Sequence, residues 1–217
     1  MKKIFLIISL AMFTFLGKAY AEMSYGVSGA ITHLDASGTE TEGGEANTGS
    51  ADNTVVIPSI FVEYAYSDTI SIGLDYIPLS ADVSSSTKSR TDTETSVTGN
   101  TATTSTSRTQ NAQAELENHV TLYANYNLGG YYAKVGVAQV TLNTQESLGT
   151  GSAYGNEDIY GGVFGIGMQQ DNHRIELVYT DYEDISLTST VARTGVTTNN
   201  TIDADLDTIA FKYSFVF

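Results

Sequence analysis

The C-terminal segment of this chain constrains its fold most. From Ile209 to Phe217 every second residue is aromatic or isoleucine, and alanine, lysine, serine and valine lie between them. Such an alternation predicts a β-strand with one strongly apolar face. That face belongs either in the core of a soluble β-protein or against lipid on the outside of a closed membrane barrel. The rest of the sequence has to decide between these two environments.

The first 21 residues are organised like a secretory signal peptide. Two lysines follow Met1, an apolar run extends from Ile4 to Leu16, and Ala19-Tyr20-Ala21 places small residues at a cleavage site. The run is shorter than the roughly 20 apolar residues of a membrane helix. We therefore predict a signal peptide at residues 1–21 and one exported domain at residues 22–217.

Charge and residue content exclude several classes of function. The chain has 25 acidic and 10 basic residues, a formal net charge of −15, so nucleic acid is not expected as a partner. It contains no cysteine, which rules out disulfides and thiolate metal sites. His33, His119 and His173 lie far apart in the sequence. We therefore predict neither a metal site nor a cofactor.

Eight strand-like segments follow the signal, and short turns alternate with long polar loops. The short turns are predicted near Asp68, at Leu128-Gly129 and at Asp171-Asn172. The longest loop is almost wholly Ser, Thr, Asp, Asn and Gln without apolar periodicity, so we expect it to have no order of its own. The pattern predicts an all-β protein, an eight-stranded antiparallel up-and-down transmembrane β-barrel with both termini on the side of the short turns. The long loops are predicted at residues 38–52, 84–111, 144–156 and 188–200.

Pairing across the short turns tests the barrel hypothesis, because a slip of one residue would send every side chain to the opposite face. Hairpins centred on the three turns place apolar residues opposite apolar residues on one face. A soluble barrel such as a lipocalin would direct this face inward. The predicted pairs are Tyr66/Ile70, Tyr64/Ile72, Val62/Leu74 and Ile60/Tyr76; Tyr126/Tyr131, Ala124/Ala133, Leu122/Val135 and Val120/Val137; and Met168/Ile175, Ile166/Leu177 and Phe164/Tyr179.

The opposite face of these strands carries charges of both signs among glycine, serine and threonine. In a narrow barrel the small residues make room, and opposite charges neutralise each other away from bulk water. On a soluble barrel the same residues would be solvated surface charges. We expect the two lysines to meet the two glutamates, with the arginine and the aspartate on either side. The predicted lumenal charge network is Glu63, Asp75, Lys134, Arg174, Glu176 and Lys212.

The two prolines of the chain carry a further prediction about pairing. Pro58 and Pro78 fall opposite each other when the hairpin is centred on Asp68. Proline has no N–H to donate to a β-ladder. We therefore expect these residues to mark the outer rim of the barrel, where pairing is interrupted.

On these features the chain resembles the small eight-stranded outer-membrane barrels, namely the outer membrane protein A barrel, outer membrane protein X and the opacity-type adhesins. The resemblance covers residues 22–217. Its most specific part is the ending Tyr213-Ser214-Phe215-Val216-Phe217, in which Tyr213, Phe215 and Phe217 resemble the signal read by the outer-membrane assembly machinery. The resemblance implies a bacterial outer-membrane location with periplasmic termini, and contact with outer-membrane lipid and lipopolysaccharide.

Three functions remain open at this point. The first is a non-enzymatic surface barrel with a filled polar lumen and acidic, Ser/Thr-rich loops that touch external surfaces or phage. The second is a small channel or carrier for hydrophobic compounds. The third is a lipid-modifying enzyme, since His33 and Ser37 lie near the outer rim. Carboxylates at the outer ends of two strands are also candidate divalent-cation ligands, namely Asp181, Glu183, Asp184, Asp203, Asp205 and Asp207.

Overall fold

A computed structural model describes residues 23–42, 45–98, 101–147, 153–189 and 199–217 of the chain. The predicted signal peptide at residues 1–21 lies outside these ranges. All regular elements of the described residues are β-strands. No helix within these ranges is long and apolar enough to cross a membrane. The strands are β1 (Met23–Glu42), β2 (Glu45–Ala65), β3 (Ile70–Ile77), β4 (Ala81–Asp82), β5 (Lys88–Thr98), β6 (Thr101–Ala112), β7 (Ala114–Asn127), β8 (Tyr131–Thr144), β9 (Asn156–Gln170), β10 (His173–Tyr182), β11 (Ile185–Thr188) and β12 (Thr201–Val216).

Ten of these strands form one antiparallel sheet that closes on itself. Neighbours follow the order β1, β2, β3, β7, β8, β9, β10 and β12, and β12 pairs with β1 from Gly26↔Val216 to Thr41↔Thr201. The short strands β4 and β11 continue the walls begun by β3 and β10, and pair with β7 and β12. The predicted eight-stranded antiparallel up-and-down barrel is therefore confirmed. We call the end with the tight turns, where Met23 and Phe217 also lie, the turn end, and the opposite end the loop end.

Two of the predicted loops are strands instead. β1 and β2 stay paired through the predicted loop at 38–52, as far as Glu42↔Glu45. The predicted unordered loop at 84–111 contains a separate hairpin, β5 with β6, which pairs from Lys88↔Ala112 to Thr98↔Thr101. Threonine favours strands and backbone ladders need no apolar face, so the lack of apolar periodicity was the wrong criterion. β8 ends at Thr144 and β9 begins at Asn156, but residues 148–152 of the predicted loop at 144–156 lie outside the described residues. Residues 190–198 of the last predicted loop lie outside them as well.

The hairpin registers agree with the predictions at two of the three turns. The β2–β3 ladder contains Tyr64↔Ile72, Val62↔Leu74 and Ile60↔Tyr76, and the β9–β10 ladder contains all three predicted pairs. The β7–β8 register was wrong by two residues, because Leu122 pairs with Val137 and Tyr126 with Ala133. The turn is centred on Gly129-Gly130, whose φ angles of 70° and 100° only glycine adopts easily. A two-residue slip leaves every side chain on its predicted face.

The prolines do interrupt pairing, but not at the rim. The β2–β3 ladder ends at Ile60↔Tyr76, two residues before Pro58 and Pro78. β2 itself continues past Pro58, which lies opposite Gly29 in the β1–β2 ladder. At Pro58, β2 is therefore unpaired with β3 but remains paired with β1.

The polarity of the two barrel faces inverts part-way along the strands. In β8 the outward Val135 and Val137 are more than half exposed, whereas the next outward residue is Gln139 and the next inward residues are Val140 and Leu142. β12 shows the same change, from outward Ile209 to Asp207. The nine residues from Ile209 to Phe217 approach the roughly 9 to 11 that a tilted strand needs to cross a bilayer. The barrel wall thus has an apolar belt at the turn end, and beyond it a polar exterior around an apolar interior.

Candidate functional site in the barrel interior

The six residues of the predicted charge network all point into the barrel and form three ion pairs. Arg174 on β10 pairs with Glu63 on β2, Lys134 on β8 with Glu176 on β10, and Lys212 on β12 with Asp75 on β3. Lys134–Glu176 agrees with the expected lysine–glutamate contacts, whereas Glu63 takes the arginine and Lys212 takes the aspartate. These pairs, at the level of the apolar belt, are called the charge layer below.

Glu63 and Arg174 each take part in four hydrogen bonds within the charge layer and its surroundings. The Glu63 carboxylate accepts hydrogen bonds from Arg174 Nη1 at 2.6 Å and Nη2 at 2.8 Å, a bidentate arrangement. The Tyr123 hydroxyl and Asn125 Nδ2 each donate to Glu63 Oε1 at 2.8 Å. Arg174 also donates to Gln169 Oε1 from Nη2 at 2.8 Å. A buried carboxylate with this many donors remains stable as an anion.

Aromatic rings and glycines complete the packing around the charges. The Lys134 ammonium lies 4.1 Å from the centroid of the Tyr123 ring, and the Arg174 guanidinium lies over the Phe61 and Tyr132 rings at 5.1 and 5.3 Å. Each ring needs a glycine beside it, because a Cβ would overlap Phe61 at Gly26, Tyr123 at Gly73 and Tyr132 at Gly167. The prediction that lumenal small residues make room for large ones is therefore confirmed at these positions.

A second layer, which is apolar, crosses the interior nearer the loop end. Leu34 on β1, Val140 on β8 and Ile159 on β9 are almost completely buried and pack in one cluster with Leu116 and Tyr182. We call these five residues the apolar layer. Leu116 reaches it because the β7–β8 register shifts between Glu117 and Val120, where Asn118 has a φ of 55°. Such a bulge reverses the inward and outward positions along the strand.

A small cavity of about 90 Å³ separates the two layers. Its lining includes Asp75 and Lys212 of the charge layer and Leu34 and Tyr182 of the apolar layer. It also includes His119, whose ring centroid lies 6.4 Å from that of Tyr182. The His119 side chain faces this space, and its Nε2 lies 3.4 Å from Thr121 Oγ1. A cavity of this size, lined mainly by apolar side chains, has room for a few water molecules.

The residues of the enzyme hypothesis are not brought together. His33 Nδ1 lies 3.0 Å from Thr54 Oγ1, whereas Ser37 lies four residues further along the same strand and opposite Asp205. Four residues of a strand span about 13 Å, beyond the reach of a Ser–His pair. His173 is exposed at the turn end, where its Nδ1 lies 2.6 Å from the Tyr213 hydroxyl.

The acidic residues at the loop end do not form a metal site either. Asp181, Asp203, Asp205 and Asp207 line the outer surfaces of β10 and β12, and Asp35 pairs with Asp207. In the part of the chain that the structure describes, no three or more carboxylates and histidines are grouped closely enough to hold a metal ion.

The three aromatic residues of the predicted assembly signal lie at the turn end of β12. Phe217 stacks on Tyr25 with ring centroids 5.4 Å apart and meets Phe215 edge to face at 5.1 Å. The Phe217 N–H donates to the Tyr25 carbonyl at 2.7 Å. The last residues therefore also help to join β12 to β1, where the barrel closes.

Comparison with solved structures finds this architecture in outer-membrane proteins. The outer membrane protein OprG from Pseudomonas aeruginosa superposes with a TM-score of 0.54 at 11% sequence identity, covering 91% of this chain and 97% of that chain. The chain has the fold of the small outer-membrane barrels. The outer membrane protease OmpT from Escherichia coli matches with a TM-score of 0.45, 10% identity and coverage of 93% of this chain and 99% of that one. Neisserial surface protein A matches with a TM-score of 0.38, 10% identity and coverage of 88% and 98%. No protein-family model matches the sequence, and no curated protein matches it.

The apolar layer of this outer-membrane barrel fold is the functional feature that the sequence analysis missed. In the sequence, the apolar interior is indicated by an inversion of the alternating pattern, in which the apolar residues move from outward to inward positions. The inversion is clearest in β12, where outward aspartates alternate with inward Ile202, Ala204 and Leu206. The bulge in β7 also hides Leu116, because an unbroken alternation would place it outside.

Proposed function

We propose that this protein is a non-enzymatic barrel of the bacterial outer membrane, closed to ions, that presents an acidic, Ser/Thr-rich surface to the outside. The observation that carries this proposal is the double closure of the barrel interior. The charge layer and the apolar layer cross the interior at different levels, and the cavity between them measures about 90 Å³. Eight strands enclose only as much space as side chains can fill.

The outward side chains support a membrane location. Apolar residues that are about half exposed or more form the belt around the turn end, and no soluble environment accounts for so continuous an apolar surface. The belt includes Val27, Ile60, Val137, Phe164, Ile166 and Phe211. A closed barrel pairs the backbone groups of neighbouring strands at the level of this belt, as lipid requires, apart from the β2–β3 ladder, which ends before Pro58 and Pro78. The turn end then faces the periplasm, and the assembly machinery would read Tyr213, Phe215 and Phe217 there.

The loop end supports the interaction part of the proposal. Beyond the belt, β1, β2 and the β5–β6 hairpin extend as polar strands, and the exterior carries aspartates such as Asp35, Asp158 and Asp181. An anionic, hydrophilic surface of this kind suits contact with external surfaces, phage or cation-bridged lipopolysaccharide. Carriage of a compound through the barrel would require both interior layers to open.

The orientation can be tested with single cysteines, because the natural chain has none. Ser107→Cys places a thiol on the exposed side of β6 at the loop end, and Asp68→Cys places one in a tight turn at the turn end. A maleimide that cannot cross membranes should label the Ser107→Cys protein on intact cells and the Asp68→Cys protein only after lysis. Labelling of the Asp68→Cys protein on intact cells, with the Ser107→Cys protein protected, would overturn the proposed orientation. Absence of both variants from outer-membrane fractions would overturn the proposed location.

A further inference from the structure

A large chamber lies at the loop end, between the apolar layer and the β5–β6 hairpin. Its volume is about 500 Å³, several times that of the small cavity below. Its walls include Val83, Leu142, Tyr154, Ile185, Leu187 and Leu206, all of them buried. The chamber sits above the apolar belt, inside the part of the barrel where the interior is apolar and the exterior polar.

The β5–β6 hairpin covers the chamber through polar contacts with the barrel. Arg90 on β5 forms an ion pair with Glu40 on β1 at 2.9 Å, and the Tyr154 hydroxyl donates to the same carboxylate at 2.9 Å. Arg90 Nη2 donates to Gln110 Oε1 on β6 at 2.8 Å. At the base of the hairpin, Asn111 exchanges backbone hydrogen bonds with Ser147. Arg90 and Glu40, two charged residues that line the chamber, are thus paired with each other.

Small residues keep the chamber open where larger ones would fill it. Ala36, Ala51, Ala114 and Ala204 line it, in contrast to the leucines and the isoleucine of the apolar layer directly below. Protein interiors pack densely, and an unfilled apolar space lowers stability. A molecule that occupies the chamber would offset this loss. Its volume also falls within the roughly 300 to 1,000 Å³ of small-molecule sites.

We propose that this chamber binds a small, uncharged, mainly apolar molecule and does not pass it across the membrane. The buried aliphatic walls supply the hydrophobic contact, and the polar groups near the hairpin orient one polar atom of the ligand. An ionic ligand would have to displace the Arg90–Glu40 pair. The charge layer and the apolar layer lie beneath the chamber, and the β5–β6 hairpin covers it at the loop end. This proposal does not depend on the interaction function proposed above, since the chamber exists whatever the loop end touches.

The test uses the full protein in lipid nanodiscs with ¹³C-labelled Leu, Val and Ile methyl groups and 1-naphthol as the probe. The methyls of Leu142, Leu187 and Leu206 report on the chamber, and those of Val135 and Leu177 report on the lipid-facing belt. Binding should shift the chamber methyls to saturation, whereas partition of the probe into lipid would shift the belt methyls without saturation. Chamber methyls that stay unchanged up to the solubility limit of the probe would overturn the proposal.

A matched pair of variants separates the chamber from the rest of the loop end. Ala204→Phe fills the chamber, and Thr188→Phe adds the same ring to the exposed side of β11. Ala204→Phe should lower the affinity for 1-naphthol by about tenfold or more, because the ring occupies the space of the ligand, while Thr188→Phe should leave it unchanged. Equal affinities in the two variants would contradict the proposal. Ala114→Phe serves as a second filling variant, and if neither filling variant folds, the wild-type methyl shifts decide alone.

Discussion

Lys134 and Glu176 allow the energetics of the charge layer to be tested directly. The two side chains are 5% and 2% exposed, and they face each other from β8 and β10. At contact distance and an effective dielectric constant of about 20, two unit charges attract by about 4 kcal/mol. Removing one partner leaves the other charge buried, which costs about 3 to 5 kcal/mol in proteins. We expect the lower end of this range for Lys134→Met, because Lys212 lies directly opposite Glu176 across the β10–β12 ladder and compensates part of its charge.

The assay is urea unfolding of the refolded barrel in lipid vesicles, followed by far-ultraviolet circular dichroism because the chain has no tryptophan. Lys134→Met should lower the free energy of unfolding by about 3 kcal/mol, whereas Lys134→Met combined with Glu176→Met should restore most of that loss. The Arg90–Glu40 pair, whose side chains are 34% and 18% exposed, is the control, and Arg90→Met should cost only about 0.2 to 1 kcal/mol. A loss below about 1 kcal/mol for Lys134→Met would refute the reasoning. A double variant as unstable as the sum of both single variants would refute it as well.

Three further predictions follow from the same packing. Gly167→Ala should lower the free energy of unfolding by about 1 to 3 kcal/mol, because the added Cβ would overlap the Tyr132 ring. Gly49→Ala, where the added Cβ meets open space, should change it little, and urea unfolding measures both variants. Deleting Phe217 should lower the folded fraction of the protein in cells, measured on heat-modifiable gels of outer-membrane fractions. It should lower the folded fraction less when the purified protein refolds from urea without cellular factors. Equal losses in the two experiments would assign Phe217 a structural role alone. Replacing residues 88–112 by a short Gly-Ser linker should leave the melting temperature of the barrel within a few degrees of the wild-type value, because the flanking Thr87 and Gln113 side chains already hydrogen-bond at 3.0 Å. A large drop in melting temperature would show that the hairpin stabilises the barrel.

The barrel was predictable from sequence because lipid imposes strong rules on a chain. Every backbone group must be paired at belt level, and outward residues must be apolar, so the alternation in β3, β9 and β12 was enough to predict strands, faces and two registers. The six interior charges followed from the same alternation. The pairing of these charges could not be predicted in the same way. Arg174 pairs with Glu63 and Lys212 with Asp75 because of the way the strands tilt around the barrel, and the spacing of residues along the chain carries no information about this tilt.

The features that were not predicted from sequence lie where the environment of the strands changes or where the backbone is irregular. Beyond the belt the solvent changes from lipid to water, so inward Val140 and Leu142 take the place of inward Lys134. The Gly129-Gly130 turn displaced one register by two residues, and the bulge at Asn118 moved Leu116 to the interior. The β5–β6 hairpin consists of polar strands without any apolar face in the sequence. In each case local backbone geometry or a change of environment, and not periodicity, determined the structure.

Ion conductance tests the double closure of the barrel most directly. The measurement is single-channel current across a planar lipid bilayer with the wild-type protein and with a variant that carries Lys134→Ala and Lys212→Ala, recorded after its fold has been checked. The charge layer and the apolar layer together predict a wild-type protein that gives no steady current. The variant should also remain silent, because Leu34, Val140 and Ile159 still close the interior above the missing charges. A steady, ion-selective current through the wild-type protein would contradict the closed interior.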